Sequence, residues 1–232
     1  MIDEIETYLS ISSNKFTIYL FDKKNLVNLY KEQIEIESNK DEIDFNQLIL
    51  FLEKNIFKIE KLIGKFIKNI SLILDHNKIL NLNLCLKKKN YNRIIDKKYL
   101  ENILMEAKDL FKETYQENQI IHMVINKYIL NGNYYSKLEN EIVSDFLSLE
   151  IKFISLPDNL ASKISNVLER YQIKVQKYFE YNYINNFNFE KDTELSYKVF
   201  KIQNGFNENE VSLVPKNNKK TGFFEKFFQL FS

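Results

Sequence analysis

The sequence is poor in the residues that punctuate and cross-link a chain. Only four glycines and two prolines occur in 232 residues, so each remaining glycine marks a place where the backbone has a reason to need one. A single cysteine, Cys85, excludes an intrachain disulfide and sets a reducing compartment as the expectation. The opening "MIDEIETYLSISS" carries acids where a secretory leader needs bases, and it lacks the leader's apolar stretch. No run approaches the roughly eighteen apolar residues that a membrane-crossing helix requires. Neither charge dominates: the formal net charge is +1, so any attraction to nucleic acid or an anionic surface must be local. These absences set the cytoplasmic side of a membrane, or the cytoplasm, as the expected location.

What is present is the make-up of a folded domain, 44% hydrophobic and 28% charged. Lysine, asparagine, isoleucine and phenylalanine are abundant, as in AT-rich genomes, which weakens inference from any one lysine or asparagine. Residues 5 to 36 read as three short strands, "IETYLSI", "FTIYLF" and "NLVNLYKEQIEI", divided by the turn-like "SSNK" and "DKKN". From Asp44 the apolar period becomes three and four, through Phe45, Leu48, Ile49, Leu52, Ile56, Ile59, Ile63, Phe66, Ile67 and Ile70. Asp44 with Gln47 three residues on resembles a capping box.

"ISLILD" (70–75) reads as a buried strand, and "ILNLNLCLKKK" as a strand with Leu80, Leu82, Leu84 and Leu86 on one face. A second helix starts near Asp96, and "NQIIHMVINKYIL" (118–130) reads as a central strand ending at the turn signal "NGN". "FLSLEIKFISL" (146–156), a helix opened by Pro157 and Asp158, and "IKVQKYF" (173–179) complete an α+β pattern of mixed α/β layering. Residues 181 to 215 are asparagine-rich, with a weak strand pair expected in "LSYKVFKIQ" and "NEVSLVP".

The chain ends "KKTGFFEKFFQLFS". At about 100° per residue, Phe223, Phe224, Phe227, Phe228, Leu230 and Phe231 share an arc of about 160° on a helix. Glu225, Lys226, Gln229 and Ser232 occupy the remainder. Such a helix is too short to cross a bilayer but suits lying in its interface, where six large side chains offer roughly 1.5–3 kcal/mol each at full burial. Lys216, Lys219 and Lys220 would sit over anionic headgroups. A partner's groove or the protein's own surface could cover the same residues.

Several stretches resemble the FtsA family, bacterial actin-like proteins that tether the division ring to the membrane. The resemblance is carried by "IIHMVINKYILNG", "NLASKISNVLERYQIKV" and the terminal amphipathic segment behind a lysine-rich tether. It implies a partial actin-like N-terminal subdomain over 1–78 and a strand–helix–strand–strand module over 79–180. It further implies a linker over 181–221 and a membrane-targeting helix over 222–232. Family members are about twice as long. Their first phosphate loop reads approximately Asp-Ile-Gly-Thr-Thr-Lys, where this chain has Ser10-Ile11-Ser12-Ser13-Asn14-Lys15. Ser10 stands in place of the metal-orienting aspartate and Ser12 in place of the glycine that lets phosphate approach, so only Lys15 persists in kind. The degenerate loop, with Gly64, Gly132, Gly205 and Gly222 all isolated, argues against nucleotide binding.

No catalytic, cofactor or metal constellation is legible. His76 and His122 are far apart, and His122 reads as a packed histidine; Cys85 has no CxxC partner; Glu139 and Glu141 read as solvated. Lys87, Lys88, Lys89, Lys97 and Lys98 read as exposed lysines and make no nucleic-acid site. The expectation is a non-catalytic, membrane-peripheral adaptor in cell division, with lipids and division or envelope-assembly proteins as partners and self-association implied by the resemblance. The alternatives are an adaptor for another envelope machine of the pilus-assembly type, and a divergent actin-like ATPase. Localisation at midcell would separate the first from the second.

Overall fold

A computed structural model describes residues 4–37, 42–138 and 142–211. In chain order its first elements are β1 (Ile5–Ile11), β2 (Lys15–Asp22), β3 (Val27–Glu35), α1 (Phe45–Ile63) and β4 (Asn69–Leu74). Next come β5 (Leu80–Ile94), α2 (Lys97–Thr114), β6 (Asn118–Leu130), β7 (Asn133–Tyr135) and β8 (Val143–Pro157). The last are α3 (Asp158–Glu169), β9 (Lys174–Glu180), α4 (Tyr181–Asn185) and α5 (Leu195–Gln203). The described residues form two units, one within 4–79 and 157–206, the other within 80–156 and 207–211.

The first unit is built on a five-stranded sheet of order β3-β2-β1-β4-β9. β1, β2 and β3 form an antiparallel meander, whereas β4 runs parallel to β1 and β9 parallel to β4. Parallel neighbours need a crossover, supplied by α1 before β4 and α3 before β9. α1 begins where Asp44 accepts from Asn46 N and Gln47 N, both at 3.0 Å, and ends at Gly64 with φ 67°. The sequence pattern that ran on through Phe66 and Ile67 therefore breaks at Gly64, because only a left-handed residue closes the helix there. Leu48, Phe51, Leu52, Asn55, Ile56 and Ile59 form its buried face. The one amide among them is satisfied: Asn55 Nδ2 donates to Phe51 O at 2.7 Å and its Oδ1 accepts from Tyr30 Oη at 2.6 Å.

The second unit has a four-stranded sheet of order β5-β8-β6-β7 with α2 on one face. Asp96 caps α2 by accepting from Tyr99 N at 2.8 Å. Ile103, Leu104, Ala107 and Phe111 pack with Met123, Ile125, Leu149, Ile151 and Phe153, and the Phe111 and Phe153 rings stack at 4.9 Å. β5 runs past the lysines to Ile94 through an irregularity between Lys89 and Arg93, where Tyr91 and Asn92 take φ of 52° and 53°. Asn131 (φ 48°) and Gly132 (φ 90°) make the two-residue β6–β7 turn that "NGN" announces. Asn131 Oδ1 also accepts from Ser144 Oγ and Phe146 N at 3.0 Å each, fastening the turn to β8.

Three sequence expectations change. α3 and β9, assigned to the 79–180 module, belong to the first unit, because β9 finds its partner in β4 and not in a sequence neighbour. "LSYKVFKIQ" is the helix α5 and not a strand, since its buried residues Ser196, Val199 and Ile202 recur every third position. Residues 181–206 of the expected linker are accordingly part of the first unit. Residues 207–211 return to the second: Val211 N donates to Met123 O at 2.8 Å and Ile125 N to Asn209 O at 3.0 Å. The expected helix over 222–232 lies outside the described residues.

Candidate functional site

In an open sheet, side chains converge beyond the carboxyl ends of its parallel strands. The first unit obeys this. β1 ends at Ile11, β4 at Leu74 and β9 at Glu180, and beyond them lies a cleft of about 510 Å³. Ser10, Ser12 and Lys15 line it from β1 and the β1–β2 turn, Asp75 from the end of β4, and Tyr181 from the end of β9. Asp192, Thr193 and Glu194 close it from the approach to α5. Of the residues singled out from the sequence, Ser10, Ser12 and Lys15 thus come together, while Ser13 is not among those lining the cleft.

The β1–β2 turn is held by its own polar groups. Ser12 Oγ donates to Asn14 Oδ1 at 2.8 Å and to Lys15 O at 3.0 Å, and Ser12 N donates to Lys15 O at 3.0 Å. Asp75 N donates to Ile11 O at 3.0 Å, which fixes the aspartate beside β1. Glu194 is paired with Lys31 Nζ at 2.8 and 2.9 Å. Tyr19 lies beneath this pair; burial, with Glu194's charge adding to it, pushes its phenol up to about 12. Three carboxylates line the cleft; Glu194 is already paired with Lys31, so Asp75 and Asp192 face one lining lysine, Lys15. With one acidic charge in excess, the field inside the cleft disfavours an unaccompanied polyanion and favours a cation. Among the described residues no three His, Cys, Asp or Glu side chains are placed to hold a metal ion.

Asp75 had a signal in the sequence, an acid directly after the apolar run Leu72-Ile73-Leu74, but it was not singled out there. The Asp192–Glu194 wall was not legible, because its segment reads as linker until α5 is known to fold back. His122 is buried, with Nδ1 2.8 Å from Glu210 Oε1, a partner 88 residues away. Cys85 is exposed on the polar phase of β5. Lys88 pairs with Glu106 at 2.6 Å, Lys87 lies 4.9 Å over the Phe146 ring and Lys89 4.7 Å over Tyr91. Glu139 and Glu141, Lys219 and Lys220, and the apolar residues Phe223, Phe224, Phe227, Phe228, Leu230 and Phe231 lie outside the described residues.

No protein-family model matches the chain, and no curated protein matches it in sequence. Solved structures do. A chain of the "PilM-PilN type IV pilus biogenesis complex" superposes with a TM-score of 0.52 at 8% identity, covering 77% of this chain and 48% of that one. The cytoplasmic domain of EpsL, an inner membrane component of the type II secretion system of Vibrio cholerae, gives 0.36 at 8% identity, over 80% of this chain and 58% of that one. A Bacteroides thetaiotaomicron protein with an actin-like ATPase fold and unknown function gives 0.31 at 13%, over 88% and 60%. The chain spans about half to three fifths of the length of these three. The first of them shows a shared fold, that of a mixed α/β chain.

Proposed function

We propose that this chain is a non-catalytic, membrane-peripheral adaptor of an envelope-assembly machine, holding a protein partner at the inner face of a bacterial cytoplasmic membrane. One observation carries the reading: the fold likeness to a chain of a pilus-biogenesis complex, over 77% of the sequence. It favours an adaptor of the pilus-assembly type over the division adaptor that the sequence suggested. The described residues contain no helix long and apolar enough to cross a membrane, which accords with a peripheral attachment. That attachment is assigned to Phe223, Phe224, Phe227, Phe228, Leu230 and Phe231, with Lys219 and Lys220 over the headgroups, on the strength of the sequence pattern.

The non-catalytic part rests on the cleft. Ser10 and Ser12 stand where the resemblance implies an acid and a glycine, the turn hydroxyl is committed to Asn14 and Lys15, and Asp75 and Asp192 oppose Lys15 while Glu194 is held by Lys31. The experiment is the cellular position of an N-terminal fluorescent fusion, full length beside a chain ending at Thr221. A membrane outline or scattered membrane foci that disperse on truncation supports the adaptor. A midcell band would restore the division reading, and a cytosolic full-length chain would refute the attachment. In a thermal melt, Mg-ATP should not move the transition; a shift that Lys15→Ala abolishes would make the cleft a nucleotide site.

A further inference from the structure

Four large apolar side chains stand out of the first unit along α1 and the loop behind it: Leu50 is 59% exposed, Phe57 70%, Leu62 57% and Phe66 80%. They do not form a continuous seam. Leu50 and Phe57 are seven residues apart on one face, but the positions between them on that face hold Glu53 and Lys54, both exposed. A partner helix needs apolar knobs at each of those places, and a charged residue there breaks the register. The lysines cluster with the apolar residues. Between residues 53 and 68, five lysines (Lys54, Lys58, Lys61, Lys65 and Lys68) stand against two glutamates, Glu53 and Glu60, and all five are exposed. Glu60 is turned inward far enough for its Oε1 to accept from Ile67 N at 3.0 Å. A chain with net charge +1 thus holds an excess of three positive charges on sixteen residues, one of them, on Lys54, lying 3.9 Å from Glu32 Oε1 of β3.

We propose that the outer face of α1, with Phe66 at its tip, is a second membrane contact that docks on anionic lipid. Exposed apolar side chains interrupted by exposed charged ones suit a lipid surface better than an inserted peptide. Aromatic and aliphatic side chains enter the acyl boundary while lysine stems lie along the apolar surface and keep their ammonium groups at the phosphates. Each lysine so placed contributes roughly fivefold to partition onto anionic lipid and almost nothing on neutral lipid. The site is independent of the terminal aromatic residues. It rests on the membrane reading above only in sharing the same surface, and two weak contacts together give the stable attachment that one does not.

The chain has no tryptophan, so Phe66→Trp in the full-length protein places one indole at the tip. With vesicles of phosphatidylglycerol and phosphatidylcholine, the emission of that indole should shift to the blue and be quenched by spin-labelled acyl chains. Pure phosphatidylcholine should give neither. Lys58→Glu with Lys61→Glu should lower the bound fraction on anionic vesicles by roughly tenfold or more, with the thermal transition unchanged. Sedimentation with vesicles while the indole stays in water overturns the proposal and leaves the terminal attachment standing. A blue shift retained when Phe223, Phe224, Phe227 and Phe228 are all replaced by serine supports the proposal even where the terminal attachment fails. No binding to any vesicle overturns both, and a concentration-dependent dimer lost in Phe57→Glu would overturn it by assigning the face to a second copy of the chain.

Discussion

β2 and β5 are both strands beside a helix, yet their interiors differ. In β2 every residue from Phe16 to Phe21 is buried, whereas in β5 residues 80 to 89 alternate between half-buried and exposed. The reason lies in what covers each face. Phe16 meets Phe51 of α1 at 6.2 Å, and Phe21, five positions on and so pointing the other way, meets Phe200 of α5 at 5.4 Å. β5 has α2 on one side alone, where Leu80, Leu82, Leu84 and Leu86 pack. The letters already differ: "FTIYLF" is apolar on both phases and "LNLNLCL" on one. A strand's pattern therefore reports how many layers lie over it, and only the doubly covered sheet supplies parallel strand ends that gather into a cleft.

The sharpest way to break this comparison is truncation of matched leucines. Leu20→Ala in β2 should cost about 2–5 kcal/mol, as for fully buried core positions. Leu84→Ala in β5 should cost roughly half that or less, since its site is half open to water. Cys85→Ser, on the open face, should stay within about 0.5 kcal/mol. Urea titration of the three variants checks all of them, and equal costs at Leu20 and Leu84 would end the distinction.

Alkaline titration is the next test. Burial pushes both Tyr19 in the first unit and Tyr128 in the second up to about 12, and raises Tyr8 as well, with Glu6 adding to it. Burial favours the neutral phenol, so this contribution is complete below the unfolded value near 10 and is lost as pH rises towards 12. Each tyrosine carries on the order of 2 kcal/mol in that window. Stability measured between pH 10 and 12 should fall, and Tyr19→Phe should flatten the fall. An unchanged slope would mean that the doubly covered sheet admits water at that site.

A smaller effect than the core truncation belongs to the turn. Gly132 has φ 90° with nothing within 4 Å of where a Cβ would sit. Gly132→Ala should therefore cost about 1–2 kcal/mol from backbone conformation alone. A neutral result would show that Asn131's bonds to β8 hold the hairpin without help.

Most of the fold was legible because its signals are local. Asp44 and Asp96 sit where capped helices begin, "NQIIHMVINKYIL" coincides with β6, and Asn131-Gly132 marks a turn whose chemistry leaves little choice. What escaped depends on pairings over long distances. β9 joins β4 across about a hundred residues, and nothing in "IKVQKYF" names its partner. α5 was misread because Val199, Phe200 and Ile202 satisfy a strand's composition while their spacing satisfies a helix. The cleft inherited that error: Ser10, Ser12 and Lys15 could be placed from the loop, but the Asp192–Glu194 wall could not be foreseen without α5.

The segment 207–211 joins the edge of β6 with Val211 N on Met123 O, Asn209 O on Ile125 N and Glu210 against His122. In mechanical terms this is a short antiparallel splice set into a sheet. Tension along the strand loads both backbone bonds and the buried Glu210–His122 contact together, in shear. Tension across it opens them one after another, like a zip. A pull transmitted through residue 211 reaches β6 as a stiff or a yielding joint according to its direction alone.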